Sequence, residues 1–126
     1  MNNRTSRSEE LQERFISFAA GIIEISAKLP RSPQGRHISG QILRSGTATA
    51  ANYAEARGAE SRADFVHKLR IVLKELNETA VWLQLIGRAN MLSPEITDQI
   101  VAENHELCRL IAASVRTSRE SPQSPI

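Results

Sequence analysis

Two histidines have neighbours of a type and spacing that are found in catalytic or metal sites. The first is His105. It lies three residues before the single cysteine, Cys108, and residues three apart share one face of a helix. A cysteine beside a histidine is the arrangement of a nucleophile with its base. A lone cysteine beside an apolar helix face is more often a small buried side chain, and we assign Cys108 that role.

The second is His67, which follows Asp64 at the spacing used by some metal ligands. A di-iron bundle needs a Glu-x-x-His pair on each of two helices and two more carboxylates that face inward. Here the apolar period places Phe65 rather than His67 on the inner face, with Glu75 and Glu78 beside the core. The sequence therefore predicts no metal, no cofactor and no enzymatic activity.

Basic residues form a third candidate site, for nucleic acid. Residues 31–57 carry a net charge of +3, whereas residues 91–126 carry −2. The cations gather around both ends of the second predicted helix and the start of the third, at Arg31, Arg36, Arg57, Arg62 and Lys68. Such side chains would contact phosphates without reading the base sequence. Ordinary solvated arginines are the competing explanation, because no aromatic residues are interleaved for base stacking.

Four helices are predicted to position these residues, each marked by apolar residues at alternating spacings of three and four. They cover residues 8–29, 34–57, 62–86 and 94–117, with Ser6, Ser61 and Ser93 as N-terminal caps and Gly87 and Asn90 as candidate C-terminal caps. Short links between long helices predict an all-α fold, an up-down-up-down antiparallel four-helix bundle over residues 8–117. We expect a flexible segment at 1–7 and a disordered tail at 118–126.

Composition agrees with a single helical domain. The chain has 126 residues, of which 4% are aromatic, and Ala, Leu, Glu and Arg are abundant. The single cysteine excludes an internal disulfide framework and fits a reducing compartment. No stretch approaches the ~18 apolar residues that span a bilayer, and the largely polar start argues against a secretory signal. We therefore expect a cytoplasmic protein.

The second predicted helix is unusual in its lack of bulk. Its inward-facing residues are Ile38, Ile42, Ser45 or Gly46, Thr49 and Tyr53. Another face carries Arg44, Ala48, Ala51 and Glu55, so that small residues lie between two opposite charges. This pattern would let a neighbouring helix or subunit approach closely and meet ionic partners at both ends. Solvated surface charges explain the spacing equally well.

The first and third predicted helices carry more apolar residues than one inward face requires. Val81, Trp82 and Leu85 lie beside the inner face of the third helix, and Ile16, Ala20 and Ile23 lie beside that of the first. A helix that is apolar on most sides is covered on most sides. The excess predicts a homo-oligomer with Trp82 as an interface anchor. The alternative is a thick internal core that includes Trp82.

Four segments of the second and third predicted helices form a recognisable pattern, QILRS at residues 41–45, ANYAE at 51–55, SRADF at 61–65 and LRIVLKELNET at 69–79. Together they resemble one bacterial family, the 23S rRNA intervening-sequence or S23-type proteins. The resemblance covers roughly residues 8–116. One departure is Ala56, where the family usually has a glycine. The resemblance therefore leaves the turn after the second helix to Gly58.

The resemblance implies a left-handed four-helix bundle that forms a homopentamer and has no established activity. Some members are encoded within intervening sequences of ribosomal RNA genes. A related branch is the accessory protein of diversity-generating retroelements, which binds a reverse transcriptase and, through a basic surface, nucleic acid. The expected partners are therefore further copies of the chain, RNA or DNA, and a reverse transcriptase. Together with the spacing argument, the predicted subunit interface is Arg44, Ala48, Ala51, Asn52, Glu55, Arg70, Glu78 and Trp82.

Overall fold

Four long α-helices make up the computed structural model, which describes residues 6–120. They are α1 (Arg7–Lys28), α2 (Pro33–Arg57), α3 (Arg62–Arg88) and α4 (Pro94–Glu120), and the described residues include no strand. Each helix packs against the next, and α4 also contacts α1. The all-α prediction is therefore confirmed. None of the described helices has the length and apolar character that crossing a membrane requires.

The helix ends differ from the prediction by a few residues. Ser6 caps α1, and its hydroxyl accepts a hydrogen bond from the Glu9 amide at 3.1 Å, so the helix begins at Arg7. α4 continues to Glu120, and the predicted disordered tail is wrong over residues 118–120. The reason is that Pro122 restricts only the residue before it, so nothing stops the helix earlier. The remainder of the two predicted flexible segments, 1–5 and 121–126, lies outside the described residues.

The links between helices show how the C-terminal ends are closed. Asn90 has a positive φ of 56°, and the Met91 amide donates to the Ile86 carbonyl at 3.0 Å, which closes the last turn of α3. Asn90 is therefore the left-handed residue that directly follows the C-cap, Ala89, and ends the helix, while Gly87 lies within the helix. After α2, Gly58 has a φ of −94°, a conformation open to any residue. Ala56 is fully buried inside α2, so its departure from the family pattern leaves the turn unaffected.

The core follows the predicted inward faces closely. Aromatic packing joins α1 to α2, because the rings of Phe15 and Tyr53 stack with centroids 5.0 Å apart. Burial raises the pKa of the Tyr53 phenol. The largest fully buried side chains are Phe15, Phe18, Ile22, Ile42, Leu69, Leu76, Ile86, Leu107 and Ile111. Within each helix the buried residues follow the spacing of three and four, so the predicted period is confirmed.

Among the described residues, four polar side chains are fully buried between these apolar residues. The hydroxyls of Ser45 and Thr79 are 2.8 Å apart, which joins α2 to α3. Thr49 donates to the Gly46 carbonyl of its own helix at 2.7 Å. Asn104 of α4 is fully buried, and its amide has no hydrogen-bond partner among the described residues. Three of the four are therefore satisfied within the chain, and Asn104 is not.

α1 packs closely against the backbone of α2 at Gly46. A Cβ atom at this position would lie 2.6 Å from Cγ2 and 2.8 Å from Cγ1 of Ile22. These atoms are held near the α1 backbone, so they cannot move aside as the end of a long side chain would. The small residues in the middle of α2 therefore allow α1 to pack directly against its backbone.

We predict that Gly46→Ala destabilises the protein by about 1–3 kcal/mol, because the added methyl overpacks the core against Ile22. Gly40→Ala is the matched control, since a Cβ at Gly40 meets nothing within 4 Å. The control should gain up to about 1 kcal/mol from helix propensity. Urea unfolding monitored by circular dichroism measures both values. Equal stabilisation of the two variants would contradict the close approach.

Candidate functional site

Three of the four charged residues predicted for a subunit contact, Arg44, Glu55 and Glu78, are paired within the chain. The Arg44 guanidinium of α2 contacts the carboxylates of Glu75, at 3.3 Å, and Glu78 on α3. At the other end of the same face, Lys68 Nζ lies 2.9 Å from Glu55 Oε1. The small residues between Arg44 and Glu55 thus face α3, the neighbouring helix. A role for these residues between subunits stays a prediction.

Glu78 is the centre of this polar cluster. It accepts a hydrogen bond from Arg44 and another from the indole Nε1 of Trp82 at 3.0 Å. The Arg44 bond, followed by the Trp82 bond, holds the pKa of the Glu78 carboxyl below its ordinary value. His37 of α2 packs edge-on to Trp82, with ring centroids 6.1 Å apart. The cluster therefore fixes the partly buried Trp82 between α2 and α3.

The other predicted interface residues divide between two places. Ala48 is half-buried and Ala51 is exposed on α2, and Asn52 donates from Nδ2 to the Ala48 carbonyl at 2.9 Å. Arg70, however, does not join the α2–α3 cluster. It lines a pocket on the α4 side of α3 instead. Its helical position turns Arg70 toward α4, and its predicted role in a subunit contact stays a prediction.

Two exposed apolar surfaces remain on the outside of the chain. On α3, the side chains of Val81 and Leu85 are 53% and 44% exposed, and we call them the α3 apolar face. On α1, Ile16 and Ile23 are 47% and 51% exposed, and Leu43 of α2 is 38% exposed. The excess of apolar residues on the first and third helices, inferred from the sequence, therefore lies largely at the surface.

The exposed residues of α1 and α2 belong to one surface. Ile16 is four residues after Gln12, and Ala54 is three residues before Arg57, so each shares a helix face with that residue. Gln12 accepts a hydrogen bond from Arg57 at 2.8 Å, which places these two faces side by side. We call this surface the α1–α2 apolar face, and it comprises Ile16, Ala20, Ile23, Leu43, Ala50 and Ala54.

The predicted nucleic-acid residues do not form one patch. Arg31 and Arg36 line a small pocket at the link between α1 and α2. Arg57, Arg62 and Lys68 lie at the opposite end of α2, whose 25 residues span roughly 35 Å. Lys68 is paired with Glu55, and Arg57 contacts Gln12. The structure therefore brings Arg31 to Arg36 but separates both from the other three cations.

A second basic site was missed by the sequence analysis. A groove of about 390 Å³ between the start of α3 and the end of α4 is lined by Arg62, His67, Arg70 and Arg119, and we call it the basic groove. None of its arginines forms an ion pair with residues 6–119. Arg119 had been assigned to the tail and Arg70 to a subunit contact. The eight-residue spacing of Arg62 and Arg70 was the available signal, since it places both on one side of α3.

The structure adds little support for the two groups of residues with catalytic spacing, Cys108 with His105 and Asp64 with His67. Cys108 is partly buried, and burial raises the pKa of its thiol, which disfavours the reactive thiolate. Its Sγ lies 3.7 Å from Oδ1 of Asn77, while His105 is exposed. Within residues 6–120, no three His, Cys, Asp or Glu side chains come together as metal ligands. The lack of enzymatic activity stays a prediction.

Comparison with known proteins gives a consistent result over nearly the whole chain. The family model described as 23S rRNA-intervening sequence protein matches residues 8–113. A crystal structure of a protein of unknown function from the S23 ribosomal protein family of Bacteroides thetaiotaomicron is similar to this chain, with a TM-score of 0.81 and 35% identity. The similarity covers 88% of this chain and 99% of that one. No curated protein matches the chain.

We predict that the Arg44–Glu78 contact makes stability depend on pH. The pKa of Glu78 is lowered in the folded protein, so its contribution is present above about pH 4.5 and is lost as the pH falls through the folded pKa. Glu78→Gln should therefore be less stable than the parent at neutral pH, and the difference should shrink in acid.

Urea unfolding at neutral pH and at about pH 3.5 measures this difference. Glu60→Gln is the control, since Glu60 is an exposed carboxylate with no ion pair among the described residues. A Glu78→Gln deficit that stays the same across this pH range would show that the ionised carboxylate is not responsible.

Proposed function

We propose that this chain, which belongs to the family of 23S rRNA-intervening sequence proteins, is a non-enzymatic, homo-oligomeric accessory protein that associates with nucleic acid in the cytoplasm. The observation that carries the proposal is the pair of apolar surfaces on the outside of the chain, the α1–α2 apolar face and the α3 apolar face. Clustered exposed apolar side chains of this kind are typical of surfaces that a partner covers.

The charge distribution favours the apolar faces over the α2–α3 cluster as the main subunit contacts. Arg44 and Glu55 already have ionic partners on α3, so a subunit contact through them would have to replace existing pairs. The exposed side chains of Ile16 and Ile23, by contrast, gain from any contact that removes water, at about 25 cal/mol per Å². The α1–α2 apolar face carries no charged residue among its six members.

Two different apolar faces on one chain favour assembly of the subunits into a closed ring. A contact between unlike surfaces repeats from subunit to subunit and closes if the rotation allows it. A homopentamer, the assembly that the family resemblance implies, is a closed ring of this kind. Within each subunit we propose the left-handed up-down-up-down bundle. Two pairings support antiparallel neighbours, because Gln12 near the start of α1 contacts Arg57 at the end of α2, and Ser39 contacts Ser26.

The basic groove is the part of the chain best suited to nucleic acid. Arg62, Arg70 and Arg119 bring three guanidinium groups to one groove, and guanidinium groups bind phosphates bidentately. Arg31 and Arg36 supply a smaller site at the other end of the bundle. An accessory role beside a reverse transcriptase in a retroelement is the alternative, and it rests on the family resemblance alone.

For the assembly, we predict that Ile23→Glu converts the oligomer to smaller species, because it places a charge at the centre of an apolar contact. Ile96→Glu is the matched control, since Ile96 is 39% exposed and belongs to neither apolar face. Light scattering coupled to size exclusion measures the mass of both variants. An unchanged mass for Ile23→Glu would rule out the α1–α2 apolar face as a subunit contact.

For nucleic acid, we predict salt-dependent binding of single-stranded RNA that Arg62→Ala combined with Arg70→Ala weakens. Each lost phosphate contact should reduce the slope of log affinity against log salt by about 0.7. Lys74→Ala is the control, because Lys74 is an exposed cation of α3 outside the basic groove. Fluorescence anisotropy over a range of salt concentrations gives the slopes. Equal slopes for the double variant and the control would exclude the basic groove as the binding site.

A further inference from the structure

A pocket of about 350 Å³ lies between the second half of α3 and the first half of α4. Leu83, Pro94 and Val101 give it apolar walls, and its polar lining includes the exposed side chains of Gln84, Arg88, Asp98 and His105. Sites for small ligands are mostly apolar clefts of roughly 300–1,000 Å³ with a few polar groups that fix orientation. The α3–α4 pocket has this size, and its polar groups include one carboxylate, that of Asp98.

The polar group that distinguishes the pocket is the amide of Asn104. This residue lines the pocket and is fully buried, yet neither Nδ2 nor Oδ1 has a hydrogen-bond partner among the described residues. Protein interiors pair nearly all of their buried polar groups. The other buried hydroxyls of the core obey this rule, since Ser45 and Thr79 bond to each other. Asn104 therefore offers an unused donor and an unused acceptor side by side.

We propose that the α3–α4 pocket binds an adenine base and that Asn104 recognises it. A carboxamide donates through Nδ2 and accepts through Oδ1, which is the complement of the adenine N6 amino group and N7. The apolar side chains of Leu83 and Val101 suit the faces of the base. Arg88, in the last turn of α3, is the cation available for a phosphate attached to it. Because both amide atoms are covered by their neighbours, binding includes a rotation of the Asn104 side chain toward the base.

The adenine could belong to a free nucleotide or to an unstacked base of single-stranded RNA. The two sources present the same chemistry to Asn104. With a free nucleotide the inference goes beyond the proposed function, because it needs only one chain and no phosphate contact in the basic groove. With RNA it rests on the proposed association with nucleic acid. Separate ligands in the test distinguish the two sources.

The test is a titration of the ¹⁵N-labelled full chain with AMP, followed by NMR. We expect saturable shifts of the Asn104 side-chain amide and of residues that line the pocket. Asn104→Leu keeps the branched shape of the side chain and removes the amide chemistry, although its methyl groups are larger, so the ¹⁵N spectrum of the variant is first used to check that it is folded. The folded variant should bind AMP at least tenfold more weakly. Asn77→Leu, at an exposed asparagine of α3, is the matched control and should bind normally. Arg88→Ala should weaken AMP but leave adenosine unaffected.

A second set of titrations uses CMP and short oligo(A) and oligo(C) RNAs. Binding of AMP that Asn104→Leu abolishes supports a free nucleotide. A preference for oligo(A) over oligo(C) that Asn104→Leu abolishes, without AMP binding, supports an RNA base. Equal binding of AMP and CMP, or equal binding by the parent and Asn104→Leu, would overturn the proposal, as would no saturable shift with any of these ligands. The proposed function is tested by other measurements, the subunit mass and the salt slope of the Arg62 and Arg70 variants. A negative result for adenine binding therefore does not change the outcome of those tests.

Discussion

The close approach of α2 to both of its neighbours is the constraint on which the rest of the structure depends. On one side, the backbone at Gly46 receives Ile22 of α1, and on the other, Ser45 bonds to Thr79 of α3. The same lack of bulk lets Arg44 reach the carboxylates of α3. Because these ionic groups are engaged within the chain, we propose that contacts with other molecules are made through the apolar faces and the cations at the ends of the bundle.

The middle of the bundle is also where the protein departs from an optimal core. A buried amide without a partner costs about 1–3 kcal/mol, a large share of the stability of a small domain. Asn104 carries this cost, whereas the buried hydroxyls of Ser45 and Thr79 are satisfied by each other. A residue that weakens the fold without a compensating contact is expected at a functional position. Asn104 differs in this from the exposed polar residues of the chain, because water satisfies the hydrogen bonds of their polar groups.

Periodicity predicted the helices and their inward faces well, because each helix needs one apolar face and the spacing of three and four marks it. It could not give the axial level at which two helices meet. Arg44 and Glu78, 34 residues apart, were both identified, but whether they met within one chain required the structure. For the same reason, the sequence did not show that Arg70 meets Arg119 of α4 in one groove. Nor could spacing show that the buried amide of Asn104 lacks a partner.

The central claim is that the apolar faces of one chain are covered by other copies of it. Sedimentation equilibrium of the unmodified protein at micromolar concentration tests this most directly, since it gives the mass in solution without a mutation. The chain has a mass of 14.0 kDa, and the account predicts a homogeneous species of about five times that mass. A single species of 14.0 kDa would contradict the account, because Ile16, Ile23, Val81 and Leu85 would then remain exposed to water.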